Sequence, residues 1–156
     1  MPQFLPYLDH VNVVVSDLER SLRFYVGILG MEQTFSGDLS GEWIEQVSGL
    51  REVSALCAFC QPPGGGARVE LLQYRAPNGA ALPDNALANT LGVRHFALEV
   101  DDIAAWHERL AEAGVKFVSP PVRVPFPVRG ACKRLCYLFD PDGVLIELAS
   151  YDDATD

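Results

Sequence analysis

The stretch DHVNVVVSDL at residues 9–18 returns in altered form as RHFALEVDDI at residues 94–103. In each copy a histidine opens an apolar run that ends at acidic residues, where a helix is expected to begin. A second element repeats as well, because RVEL at residues 68–71 matches LIEL at residues 145–148. Two copies indicate a duplication within a domain and not a solenoid, which needs more repeats.

Each copy predicts a βαβββ module. In the first, a strand near Leu8 to Val15 precedes a helix that is expected to end near Leu29, at Gly30. Three strands should follow, near residues 31–36, 53–60 and 68–74. The second copy predicts a strand at 95–100, a helix at 102–113, and strands near 116–118, 133–139 and 144–150.

The predicted fold class is therefore α+β, with two tandem βαβββ modules. Module 1 covers about residues 7–75, a linker about 76–92 and module 2 about 93–151, all within a single domain of residues 1–156. A chain of this length that is 49% hydrophobic can bury one substantial core.

Charge and hydropathy restrict the partners. The formal net charge of -9 argues against general affinity for nucleic acid or an anionic membrane, since both need a basic surface. No apolar stretch approaches the roughly 20 residues that span a bilayer, and the first residues lack the basic region of a signal peptide. We therefore expect a cytoplasmic protein whose partner is a small molecule.

The spacing of four cysteines, Cys57, Cys60, Cys132 and Cys136, suggests a structural zinc site. Strand alternation argues against it, because positions 57 and 60 would face opposite sides of a strand. Small buried or half-buried thiols are the expected outcome, and disulfides are unusual in the compartment inferred above.

Strand alternation places potential metal ligands on one face of each predicted sheet. These ligands are His10, Glu70, His95 and Glu147. A single such histidine is commonly satisfied by hydrogen bonds and a single glutamate by solvent, but four in a symmetric repeat favour a metal site. Two imidazoles and two carboxylates suit one divalent ion such as Ni, Co, Zn, Mn or Fe, whereas all-oxygen sites favour Mg or Ca.

Four stretches carry a family resemblance: residues 9–11, 17–31, 95–103 and 140–148. With them the chain resembles the vicinal oxygen chelate superfamily, which contains glyoxalase I, methylmalonyl-CoA epimerase, extradiol dioxygenases, and bleomycin and fosfomycin resistance proteins. The resemblance implies paired modules whose curled mixed sheet surrounds a metal-binding cleft, commonly within a homodimer. It also implies an enzyme in most branches.

The ligand order resembles that of bacterial glyoxalase I, and the epimerases are similar except for a glutamine at the second position. Oxygenases of the superfamily generally use three protein ligands, so a fourth ligand, Glu70, favours proton transfer over oxygen chemistry. Glyoxalase I usually carries an arginine and an asparagine where this chain has Val14 and Tyr74. Glutathione-dependent lactoylglutathione lyase is therefore the runner-up. A non-heme metal dioxygenase and a metal-free small-molecule-binding resistance protein stay open as alternatives.

The predicted activity is that of a metal-dependent isomerase, epimerase or lyase that moves a proton next to a carbonyl through a metal-bound enediolate. The resemblance gives Glu147 a double role as ligand and base. Glu45 is a candidate second base, and a solvated loop acid is the alternative interpretation of it. The third histidine, His107, is expected on the surface of the second helix.

Specificity is assigned to a small set of side chains near the predicted site. Asn12, Leu72 and Tyr74 lie on the ligand-bearing face, and a proline-stiffened segment at 120–130 carries Arg123 and Arg129. Two arginines there could hold an anionic substrate group, and ordinary surface loop chemistry is the alternative.

Overall fold

The computed structural model describes residues 7–83 and 87–152. The chain divides into two compact units, Met1–Ala81 and Leu82–Asp156. The predicted linker at 76–92 includes residues 84–86, which lie outside the described residues.

Unit 1 contains one four-stranded mixed sheet. Strand β1 (His10–Val14) leads into helix α1 (Leu18–Leu22), which a π-helical segment (Arg23–Ile28) continues. The remaining elements are β2 (Glu32–Ser40), α2 (Glu42–Ser48), β3 (Ser54–Gln61) and β4 (Arg68–Ala76). The strand order is β1-β4-β3-β2, with β1 parallel to β4 and the other pairs antiparallel.

Unit 2 repeats this plan. Its elements are β5 (His95–Glu99), α3 (Ile103–Glu112), β6 (Val122–Arg123), β7 (Cys132–Phe139) and β8 (Leu145–Asp152). The strand order is β5-β8-β7-β6, again with one parallel pair, β5 and β8. The predicted α+β class with tandem βαβββ modules is confirmed.

Each module's main helix begins at a capping aspartate. The Asp17 carboxylate accepts a hydrogen bond from the Arg20 amide at 3.0 Å, and Asp102 accepts from the amides of Ala104 and Ala105, each at 3.0 Å. Such a side chain satisfies amides that lack a partner in the first helical turn. Helix α1 contacts β4 and helix α3 contacts β8, so each sheet has one helix-covered face.

The structure departs from the sequence predictions in two places. Helix α2, which is followed by the capping residue Gly49 with φ 71°, was not predicted. The strand predicted near residues 116–118 is broken. Phe117 forms an isolated bridge with Leu138, and only Val122–Arg123 pairs further along β7. Pro120 and Pro121 stand between these two contacts, and they have no N–H to donate to a neighbouring strand.

The four cysteines are free thiols, and three of them, Cys57, Cys60 and Cys136, are buried. Burial raises the pKa of each of these three to about 11. Cys132 is half-buried, so the prediction of small buried or half-buried thiols is confirmed for all four. In the described part of the chain, no helix is long and apolar enough to cross a membrane.

Candidate functional site

The first candidate ligand pair lies on β1 and β4. Asn12 of β1 pairs with Glu70 of β4 in the parallel register. His10 lies two residues before Asn12, so its side chain is on the same sheet face as those of Asn12 and Glu70. The His10 Nε2 atom lies 3.5 Å from Glu70 Oε2. The structure therefore brings together the two candidate ligands of unit 1.

The second pair lies on β5 and β8 in the same register. Ala97 pairs with Glu147, and His95 again stands two residues before that partner. The His95 Nε2 atom lies 3.3 Å from Glu147 Oε2. The repeat seen in the sequence is thus a repeat of side-chain geometry.

Both separations fit donors to one divalent ion. Metal–ligand bonds of about 2.0–2.2 Å place neighbouring donor atoms about 2.8–3.1 Å apart in octahedral geometry and about 3.3–3.6 Å apart in tetrahedral geometry. Within residues 7–83 and 87–152, no three His, Cys, Asp or Glu side chains form one group that could hold a metal ion. The structure shows two two-donor pairs, and a single four-ligand site stays a prediction.

An aromatic ring supports each histidine. Phe59 pairs with Glu70 across β3 and β4, and its ring centroid lies 5.5 Å from that of His10 in an edge contact. Tyr137 holds the same position opposite Glu147, with a centroid distance of 5.0 Å to His95. Each glutamate therefore has an aromatic partner that also packs on its histidine.

Neutral groups surround the Glu70 carboxylate. The Asn12 side-chain amide donates to Oε2 at 2.9 Å, and the Cys57 thiol lies 3.7 Å from Oε1. The role predicted for Asn12, substrate binding, stays a prediction, while the contact made here is with a candidate ligand.

Asp9 fixes the other side of the His10 ring. His10 Nδ1 lies 2.8 Å from Asp9 Oδ2, which leaves Nε2 directed toward Glu70. Carboxylates that hold the second ring nitrogen in this way are typical of metal-binding histidines. The hydrogen bond to His10, followed by that from Arg68, lowers the pKa of Asp9.

A cation, Lys133, faces the Glu147 carboxylate. Lys133 Nζ lies 2.6 Å from Glu147 Oε1, while Oε2 is the atom nearest His95. The Glu147 side chain is 7% exposed and that of Lys133 is 17% exposed, so the pair is largely removed from water. The hydrogen bond to Glu147 raises the pKa of Lys133.

Lys133 does not stand out in the sequence. Counting back in an antiparallel hairpin from the predicted turn at 140–143 would pair residue 133 with residue 150, on the face away from Glu147. The observed register is shifted by one residue and pairs Lys133 with Tyr151, which puts Lys133 on the same face as Glu147.

Tyr151 lies beside two cations. The Lys133 Nζ atom is 5.7 Å from the centre of the Tyr151 ring, and the Arg129 guanidinium carbon is 5.1 Å from it. Arg129 also forms a 3.5 Å ion pair with Glu99, and both of these side chains are mostly exposed. Arg129, one of the predicted specificity residues, thus lies on the same side of unit 2 as Lys133.

The other predicted specificity residues lie in different surroundings. Leu72 is buried, and Tyr74 packs against a buried apolar cluster of Ile44, Val53 and Ala55. Arg123 pairs with Arg134 in the β6–β7 register, which places it on the sheet face opposite Lys133. Their predicted roles in substrate binding stay predictions.

The candidate second base and the third histidine each contact a neighbour other than the four candidate ligands. Glu45 belongs to α2 and not to a loop, and its Oε1 accepts a hydrogen bond from the Glu52 amide at 3.0 Å. Glu52 has a positive φ of 55°, so this bond supports a strained turn. His107 packs its ring against Phe117 at a centroid distance of 4.3 Å.

Comparison with known proteins places this geometry in context. The Glyoxalase/Bleomycin resistance protein/Dioxygenase superfamily matches residues 7–148. A 2-epi-5-epi-valiolone epimerase of an Actinomyces species is 28% identical over 146 residues, covering 90% of this chain and 77% of the epimerase. The lactoylglutathione lyase of Salmonella typhimurium is 29% identical over 147 residues, covering 94% of each protein.

A solved structure shows the same fold. A glyoxalase family protein from Bacillus cereus superposes with a TM-score of 0.81 at 28% sequence identity, covering 97% of both chains. The relatives named in the preceding paragraph include both a lyase and an epimerase.

Proposed function

This chain belongs to the Glyoxalase/Bleomycin resistance protein/Dioxygenase superfamily, and on that premise we propose that it is a divalent-metal-dependent isomerase, epimerase or lyase. It would move a proton at the carbon next to a substrate carbonyl. The observation that carries this proposal is the repeated pair of a histidine and a glutamate, with Nε2–Oε2 separations of 3.5 and 3.3 Å in an identical strand register.

We take His10, Glu70, His95 and Glu147 as the ligands of one ion, and the donor set suits Ni, Co, Zn, Mn or Fe. When bound, such an ion acts as a Lewis acid that polarises the substrate carbonyl and so eases loss of the neighbouring proton. Because Asp9 holds Nδ1 of His10, the ring presents Nε2 without rotating.

Glu147 is the proposed base. Its carboxylate is almost fully enclosed, and Lys133 fixes one oxygen while the other faces His95. The oxygen that faces His95 would accept the substrate proton when it detaches from the metal, while Lys133 keeps the carboxylate in place. A base held in position by a neighbour loses little orientation in the transition state. Glu45 stays the candidate for a second base in an epimerase.

The epimerase and lyase names of the relatives support proton transfer next to a carbonyl. The same names keep lactoylglutathione lyase as the second candidate. Two positions disfavour it, because Val14 is an exposed aliphatic residue and Tyr74 packs into an apolar cluster, so neither offers a charged contact to glutathione. A homodimer in the cytoplasm remains the prediction of the sequence.

The test is elemental mass spectrometry on protein purified without a chelator or a metal-affinity tag. We expect about one Ni, Co, Zn, Mn or Fe ion per wild-type chain, because the ligand set is complete. His10→Ala, Glu70→Ala, His95→Ala and Glu147→Ala should each lose most of it. His107→Ala, which removes an imidazole that packs on Phe117, is the matched control and should keep its metal.

Activity is then tested on the metal-loaded protein. Candidate ketones are incubated in D₂O, and exchange of the proton next to the carbonyl is followed by NMR. Exchange that Glu147→Gln abolishes, and His107→Ala leaves intact, supports the proposal. A wild-type chain that takes up no divalent metal, even after reconstitution, would overturn it.

A further inference from the structure

Unit 2 places two cations, Lys133 and Arg129, beside the Tyr151 ring in a strongly acidic chain. The formal net charge is -9, and Lys116 and Lys133 are the lysines of the chain. One of these two lysines is placed against Glu147, a candidate ligand and base. A substrate anion approaching this protein is repelled overall, so it would need local cations of this kind.

We propose that Lys133 and Arg129, which share the Tyr151 ring, form a subsite for a carboxylate of the substrate. The substrate class would then be carbonyl compounds that also carry a carboxylate. This inference rests on the proposed function, because it takes Glu147 as a metal ligand.

Lys133 has donor capacity left in the structure. A lysine ammonium has three N–H donors; the Glu147 oxygen at 2.6 Å takes one and the Tyr151 side chain takes another, which leaves one. If a divalent ion took part of the charge of the Glu147 carboxylate, that carboxylate would balance the charge of Lys133 less fully. The ammonium could then attract a second anion beside Tyr151.

Arg129 is held over the same ring by a strained backbone. It lies in the turn between Val128 and Ala131 with φ 54°, next to Gly130 with φ 75°. Turns with two positive φ values favour Asn, Asp or Gly, and other residues persist there at a cost in stability. The turn therefore fixes the point at which the Arg129 side chain leaves the backbone.

The existing partner of Arg129 does not block an anion. The pair with Glu99 is 3.5 Å long, with side chains 73% and 64% exposed, so water and salt screen it. A guanidinium has five N–H donors and binds a carboxylate with two parallel hydrogen bonds. Arg129 can therefore contact a substrate carboxylate that Lys133 also holds.

The experiment compares two hydroxamates on the Co(II)-loaded protein by calorimetry. Both offer two vicinal oxygens to the metal, but succinic monohydroxamate carries a carboxylate where butyrohydroxamate carries a methyl group. We expect wild type to bind the carboxylate compound about tenfold more tightly, which is the effect of one charge-assisted hydrogen bond. The visible Co(II) spectrum reports in parallel that each hydroxamate reaches the metal.

The variants isolate the two cations. Lys133→Met should reduce the preference to less than about twofold, and Lys116→Met, the same change at an exposed lysine, should leave it at the wild-type value. Arg129→Gly removes the guanidinium and relieves the positive φ, so it should fold at least as stably as wild type while losing part of the preference.

Each outcome separates the two hypotheses. A wild-type chain without divalent metal overturns the proposed function and the subsite with it. A chain that binds metal but binds both hydroxamates equally overturns the subsite alone. The subsite is also overturned if Lys133→Met or Arg129→Gly keeps the full wild-type preference for the carboxylate hydroxamate. Should Lys133→Met fail to fold, Arg129→Gly decides the question.

Discussion

The surroundings of Tyr74 and Tyr151 differ although the two residues hold equivalent positions. Each tyrosine follows a candidate glutamate ligand by four residues, and each pairs with the preceding strand, Tyr74 with Ala55 and Tyr151 with Lys133. In unit 1 Tyr74 packs in an apolar cluster to which helix α2 contributes Ile44. In unit 2 Tyr151 lies beside two cations. The backbone plan is thus duplicated, while the chemistry beside it is not.

The two candidate glutamate ligands, Glu70 and Glu147, also have different surroundings, and again the charged neighbour is in unit 2. Glu70 is 16% exposed and accepts from a neutral amide, whereas Glu147 is 7% exposed and faces an ammonium. A carboxylate that has lost its hydrating water depends on a charged partner more than a partly hydrated carboxylate does. Unit 1 therefore holds its ligand with weaker, neutral contacts, and unit 2 depends on one strong ion pair.

The largest expected effect comes from moving the unit 2 cation to its equivalent position in unit 1. Ala55 is 1% exposed and packs among Ile44, Val53 and Tyr74, so Ala55→Lys would bury a charge in an apolar cluster. We expect a loss of about 4 kcal/mol in the free energy of unfolding, measured by urea titration. Wild-type stability in this variant would mean that the two units are interchangeable at this position.

The second largest loss of stability is expected from removing the side chain that contacts Glu147 or Glu70. Lys133→Met leaves Glu147 buried without its ammonium and should cost about 3 kcal/mol in the metal-free protein. Asn12→Ala removes one neutral donor from Glu70 and should cost about 1 kcal/mol. Both are measured by urea unfolding with chelator present. Equal losses would show that the charge of Lys133 adds nothing to the contact.

The smallest effect on stability is expected from a substitution at Asp9. The same substitution should weaken metal binding clearly. This carboxylate is exposed and orients the His10 ring, so Asp9→Asn should leave the fold intact. It should weaken Co(II) binding by about tenfold, the usual effect of losing such a support, as measured by competition with a chromogenic chelator. Asp101→Asn in unit 2, whose carboxylate bonds Trp106 and the Asp102 amide, is the control and should bind metal as wild type does.

The alternation of strand residues allowed much of this arrangement to be predicted. Because a strand repeats every two residues, the sequence could place His10 on the face of Asn12 and Glu70 on the face of Tyr74. The helix starts could be predicted too, since Asp17 and Asp102 are side chains that cap helices. These features depend on neighbours close in sequence or on a repeat that the sequence shows directly.

Features that depend on packing could not be predicted in the same way. Helix α2 has only seven residues, and its stability comes from Ile44 packing against Val53 and Ala55. Short helices are marginal by themselves, so propensity alone does not indicate them. The Lys133–Glu147 contact crosses two strands, and a lysine in a strand is ordinarily expected to be solvated.

The near absence of lysine gives the protein a chemical handle. Lys116 is exposed, whereas Lys133 is mostly enclosed with its amine held by Glu147. An amine-acylating reagent should therefore modify Lys116 quickly and Lys133 slowly. Peptide mass spectrometry then follows each lysine separately from the α-amine of the chain. Any ligand that protects or releases the Lys133 amine changes the acylation rate of that residue, with no dye, tag or substituted residue.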